Sequence, residues 1–155
     1  MLIPETSAAD AEGWEGLCWP LAWAAILNQW NPIPLIFASD YHKRRARKRW
    51  LDIVPKDWRL LVSVSSVDGC KLKYEFPDRF LMISRQSIGK FVQQYPKAIV
   101  VITSHRYGNP NGLHAIAIED GRVYDSNRGD KSAGGIYPIS DYSRSFVQYA
   151  FVPAE

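Results

Sequence analysis

Apolar and polar positions alternate in two rhythms along this chain, and the change of rhythm predicts where helix gives way to sheet. From Cys18 to Trp30 apolar side chains lie nearly all round a helical projection, the pattern of a buried central helix, with Pro20 tolerated in its first turn. Asn31-Pro32-Ile33-Pro34 is read as its stop, and residues 35–50 as a second helix with a solvent-exposed basic end. Residues 56–76 carry short β-prone pieces around an Asp68-Gly69 turn. Ser84 is placed to cap a helix running to about Gln94, and Ala98 to Thr103 reads as a buried strand rich in β-branched residues. Arg106 to Gly112 is a loop, His114 to Ile118 a strand, Asp120-Gly121 a hairpin turn, Arg122 to Ser126 the return strand, and Ser145 to Val152 a last strand. A helical N-terminal part followed by a mostly antiparallel sheet is an α+β arrangement.

The hairpin carries a further expectation. A two-residue type I′ turn at Asp120-Gly121 sets Glu119 opposite Arg122, Ile118 opposite Val123, Ile116 opposite Asp125 and His114 opposite Asn127. Side chains alternate with period two, so His114, Asp125 and Asn127 would project from one face.

Composition narrows the class. At 155 residues the chain suits one domain, residues 1–155, with 46% apolar residues and no run approaching the roughly 18 needed for a membrane span. The N-terminus, Met1 to Thr6, lacks the basic and apolar regions of a secretory signal, so a soluble, cytoplasmic protein is expected, with delivery into a host cell or a viral origin left open. Two cysteines, Cys18 and Cys70, are too few for a disulfide framework and lack zinc-site spacing, so neither metal nor cofactor is expected. The net charge of +3 conceals a basic segment at 42–50. Lys43, Arg44, Arg45, Arg47, Lys48 and Arg49 sit together, and without these six the 19 basic residues fall to 13 against 16 acidic ones. The run is read as a solvated helix face or an excursion, with nucleic acid or an acidic protein as its candidate partner and His42 as a solvated member.

The candidate chemistry begins at Gly16-Leu17-Cys18-Trp19, where a glycine turn feeds the apolar helix. Helix N-termini stabilise thiolate over thiol, and a nucleophilic cysteine then needs a base and a group that orients it. His114 is the candidate base, with His105 as the alternative, and the orienting group is Asp125 or Asn127. In the general triad arrangement the orienting group accepts the Nδ1–H and turns Nε2 toward the nucleophile. Cys70 reads as a turn residue without a helix behind it, and Trp23 as core.

Gly16-Leu17-Cys18-Trp19 before an apolar helix, together with His114-Ala115 before apolar strand residues, resembles the papain-like cysteine peptidases. Compact viral leader proteases are similar in the Cys-Trp helix, the His-Ala strand, the Tyr124-Asp125 return strand and the short last strand. Bacterial leader-peptide-cleaving peptidases share the order from Ser84 to Asp125. Glu15-Gly16-Leu17-Cys18 also resembles the Asp-Gly-x-Cys motif of ovarian-tumour-type deubiquitinases. The resemblance implies a papain-like fold, a Cys18-His114-Asp125 triad, Trp19 packed beside the active-site helix, and cleavage of peptide or isopeptide bonds, with a peptide, protein or ubiquitin-like tail as substrate. Deamidation and transglutamination begin from the same thioester. One position departs from the pattern: Glu12 stands where papain-like enzymes carry an oxyanion-hole glutamine, and an ionised Glu cannot donate. The hole then rests on a protonated Glu12, or on the Cys18 backbone N–H with another donor. Without either, the chain is a weak or inactive papain-like module that binds through its basic segment.

Overall fold

A computed structural model describes residues 1–103, 112–128 and 133–154. Among these residues five α-helices, α1 (Ser7–Ala11), α2 (Cys18–Ile26), α3 (Ile33–Ala38), α4 (Val67–Leu72) and α5 (Ile88–Gln94), accompany seven strands. The strands are β1 (Trp58–Ser63), β2 (Phe80–Ile83), β3 (Lys97–Thr103), β4 (Leu113–Glu119), β5 (Arg122–Asp125), β6 (Gly135–Pro138) and β7 (Val147–Pro153). They form one sheet in the order β2-β1-β7-β3-β4-β5-β6. Every pairing is antiparallel except β1 with β2, which are joined through α4 as a parallel pair requires. The architecture is α+β, and among the described residues no helix is long and apolar enough to cross a membrane.

Alternation along the strands sorts side chains to two faces. Leu60, Val62, Ile99, Val101, Ala117, Tyr124 and Phe151 meet α2 in a layer rich in aromatics, while Leu61, Val100, Ile116, Ile118, Val123 and Val152 meet α5 in a largely aliphatic one. Every α2 residue from Trp19 to Ile26 is buried, which explains its lack of a polar face. Trp23, with no exposure, packs edge-on against Trp58 at 4.9 Å and Trp19 at 5.8 Å.

Several expected elements are redrawn. The central helix ends at Ile26 rather than near Trp30: Asn28 takes φ 55°, a left-handed conformation Asn tolerates, and turns the chain away once α2 has crossed the sheet. Pro32 and Pro34 open α3 rather than only closing α2, because proline's fixed φ suits a first turn. The expected helix over 35–50 stops at Ala38. Asp40 has φ 61°, and a run of like charges three and four apart opposes helix, so residues 40–49 form turns before a 3₁₀ turn at Trp50–Ile53. Asp68-Gly69 is no turn but part of α4, whose cap, Ser66, accepts from Gly69 N at 2.9 Å. Ser87, not Ser84, caps α5. Strands β2 and β6 escape the sequence pattern altogether.

The hairpin turn is as expected. Asp120 and Gly121 have φ 50° and 79°, the paired positive values of a type I′ turn, and Glu119, Ile118 and Ala117 pair with Arg122, Val123 and Tyr124. There the β4–β5 ladder stops, although β4 continues back to Leu113 along β3. The expected pairs Ile116–Asp125 and His114–Asn127 are not strand pairs; the two strands part, and the start of α2 faces the gap.

Candidate active site

Gly16 has φ 66°, a conformation that favours glycine, and delivers the chain into α2 with Cys18 as its first residue. The first intrahelical bond runs from Leu21 N to Leu17 O at 3.0 Å, no side chain caps the helix, and Pro20 has no N–H to offer. The backbone N–H groups of Cys18 and Trp19 are therefore left pointing forward without helical partners. Trp19 anchors this end: its indole donates to Trp50 O at 2.6 Å, and its ring meets Trp50 and Phe151 edge-on.

Where β4 and β5 part, His114 enters from one strand and Asp125 from the other. His114 Nε2 lies 2.7 Å from Asp125 Oδ1, and the two side chains are only 3% and 2% exposed. Asp125 also accepts from the backbone N–H of Asn127 at 2.9 Å and from the Tyr142 hydroxyl at 2.7 Å. These three bonds satisfy a carboxylate whose burial would otherwise be costly. The Asn127 side-chain amide stands 3.3 Å from His114 Nδ1. The Cys18 thiol is half-buried, and the His114 side chain and the backbone N–H of Ala115, which the parted strands leave free, both act to favour its thiolate form.

This reverses the expected ring orientation. A carboxylate has no proton to give, so Nε2 carries the hydrogen toward Asp125 and Nδ1 is the ring nitrogen not engaged by the carboxylate. The charges agree. Burial pushes the Cys18 thiol up, but His114, the Ala115 N–H and the guanidinium of Arg47 together outweigh it and bring it below its ordinary value. Burial alone would lower His114; its bonds to Asp125 and to Cys18 instead raise it to about 9. Burial raises Asp125 as well, and His114, Tyr142 and the Asn127 N–H reverse this to a net lowering. Both shifts favour passage of the Cys18 proton to His114.

The fold thus assembles Cys18, His114, Asp125 and Asn127 in one place. Glu12 stays apart, exposed at the end of α1 and absent from the cleft of about 270 Å³ that Gly16, Leu17, Ser126 and Asn127 help to line. Cys70 lies inside α4 rather than in a turn. His42, expected in solvent, is half-buried with its ring 4.6 Å from Phe37 and 5.8 Å from Trp14. His105 and most of the 106–112 loop fall outside the described residues. Two contributors went unread in the sequence. Tyr142, on the turn after Ile139–Asp141, holds the far oxygen of Asp125, and Arg47 leaves the basic run to rest on Gly16, where its charge lowers the Cys18 thiol. Neither has a local signal, because both act across distant segments. Among the described residues, no group of three His, Cys, Asp or Glu side chains is arranged to hold a metal ion.

Comparison with protein-family models, curated proteins and solved structures returns no match for this chain.

Proposed function

We propose that this protein is a cysteine-dependent acyl hydrolase, a peptidase of papain-like arrangement acting on peptide or isopeptide bonds. The observation that carries this reading is the buried Asp125–His114 pair aimed at a thiol on an uncapped helix N-terminus.

In the reaction the Cys18 thiolate attacks the substrate carbonyl, and the oxygen that gains charge is met by the free backbone N–H of Cys18. Collapse of the tetrahedral adduct breaks the C–N bond as the His114 imidazolium gives its Nδ1 proton to the leaving amine. A thioester on Cys18 remains. Now neutral, His114 takes a proton from water, hydroxide attacks the thioester, and the acid product leaves as the thiolate and imidazolium are restored. Asp125 stays ionised throughout and steadies the imidazolium, while Tyr142 and the Asn127 N–H hold Asp125. The Glu12 side chain has no part in this scheme.

Intact-mass measurement after incubation with electrophilic peptide and ubiquitin-like probes tests the reading. One probe mass should appear on the wild-type protein, none on Cys18→Ala, and at least about tenfold less at early times on His114→Ala. Equal labelling of the His114 variant would refute the dyad.

A further inference from the structure

The basic run is not uniform. Lys43 pairs with Asp40 at 3.5 Å, Arg44 with Glu15 at 3.5 Å and Arg49 with Asp52 at 2.9 Å, all near the surface. Arg47 is different. It is half-buried, its guanidinium lies 4.3 Å over the Tyr41 ring, and among the described residues no carboxylate pairs with it. One of its terminal nitrogens stands 3.2 Å from where a Cβ on Gly16 would be, so the side chain rests on the turn that leads to Cys18. Its Nε is buried and has no hydrogen-bond partner among the described residues.

Arg47 lines a cleft of about 470 Å³ together with Tyr41, Trp50, Lys71, Leu113 and Tyr149. Leu113 immediately precedes His114, which sets the cleft beside the reacting centre. Lys71 is exposed and without an ion pair among the described residues, and one acid, Asp68, shares the lining. Two cations against one carboxylate leave the cleft positive. A planar guanidinium stacked on an aromatic ring, with a buried donor left over, suits a carboxylate that can accept from it.

We infer that Arg47, assisted by Lys71, forms a carboxylate-binding subsite in the cleft beside Cys18, so that bonds neighbouring a substrate carboxylate are preferred. The carboxylate comes from an Asp or Glu side chain or from a free C-terminus. This rests on the hydrolase reading, and it adds the substrate class that the catalytic residues leave open.

The test is cleavage of a peptide mixture of varied sequence by the full-length protein, with new ends identified by mass spectrometry and a matched mixture blocked as C-terminal amides. Cleavage absent from the Cys18→Ala control should be enriched about tenfold near Asp and Glu, the scale of a charge-assisted hydrogen bond. If the free C-terminus is the ligand, enrichment lies near peptide ends and vanishes in the amidated mixture. Arg47→Gln should remove the enrichment, and Arg47→Glu should turn it toward Lys and Arg. Comparing ratios between acidic and neutral sites separates recognition from the influence of Arg47 on the thiol. Should the Arg47 variants fail to fold by circular dichroism, the exposed Lys71→Glu change decides instead, with at least a threefold fall in acid preference expected from about 0.7 kcal/mol of lost attraction. Cleavage that depends on Cys18 but ignores acids, or an acid preference unchanged in both Arg47→Gln and Lys71→Glu, overturns the subsite and leaves the hydrolase standing. Absence of any cleavage that depends on Cys18 overturns both.

Discussion

The starts of α2 and α4 place two cysteines in outwardly similar settings. Cys18 and Cys70 are both half-buried, both helical, and both packed against the aromatic layer of the core. Cys18 is the first residue of a helix with no cap, and the parted ends of β4 and β5 set a histidine and a free N–H against its sulfur. Cys70 is the fourth residue of a helix that Ser66 caps, and its own N–H is spent on Ser66 O at 3.0 Å. A helix and a thiol are therefore not enough. What distinguishes the two sites is which polar groups the sheet delivers to the sulfur.

The largest effect expected from this contrast is on turnover. Cys18→Ala should abolish hydrolysis, a loss of about a million-fold where a nucleophile is removed, while Cys70→Ala should change kcat/KM by less than about twofold. Initial rates on a cleaved peptide measure both. Next comes His114→Ala, for which kcat should fall by roughly a hundred-fold or more as proton transfer is lost. Alkylation of Cys18 by iodoacetamide at neutral pH should slow with it, and alkylation of Cys70, followed by peptide mapping, should not.

The pH dependence is expected to divide the sites more finely. With Cys18 lowered from its ordinary value and His114 raised to about 9, the charged pair is expected between those limits. Hydrolysis should rise as the thiol ionises, hold a plateau, and fall as His114 loses its proton near 9; an alkaline limb absent in wild type would count against His114 as the proton donor. Stability has a matching sign. Because the folded value of His114 lies above its unfolded value of about 6.5, its contribution is complete below that pH and is lost as pH rises through about 9, which urea titrations at neutral and alkaline pH would register. The smallest effect belongs to Tyr142→Phe. Losing one hydrogen bond to the buried Asp125 should cost about 1–2 kcal/mol in urea unfolding and lower kcat a few-fold, with KM little changed.

Much of this site was legible in the chain because its signals are local. The glycine turn before Cys18, the all-apolar run behind it, the strand from His114 and the Asp120-Gly121 turn are short-range patterns, and the structure contains each. The middle was opaque for an equally physical reason. Helices of about six residues, such as α3 and α4, are too short to display a period, and β2 carries four apolar-looking residues, Phe80 to Ile83, that lie at the sheet edge partly exposed. Type and position of the long elements followed from pattern; the ends of α2 and the fate of residues 40–49 followed from packing and charge repulsion.

Residue order alone established an α+β chain and named the thiol, the imidazole, and the carboxylate and amide that flank it, since helix, strand and tight turn depend on neighbours a few positions apart. The assembled fold chose the rest. It turned Nε2 rather than Nδ1 to Asp125, brought Tyr142 to that carboxylate, left Glu12 in solvent and folded Arg47 over Gly16. Each of these depends on where two strands stop pairing and on which side chains meet across the gap, and both are properties of packing between segments far apart in the chain.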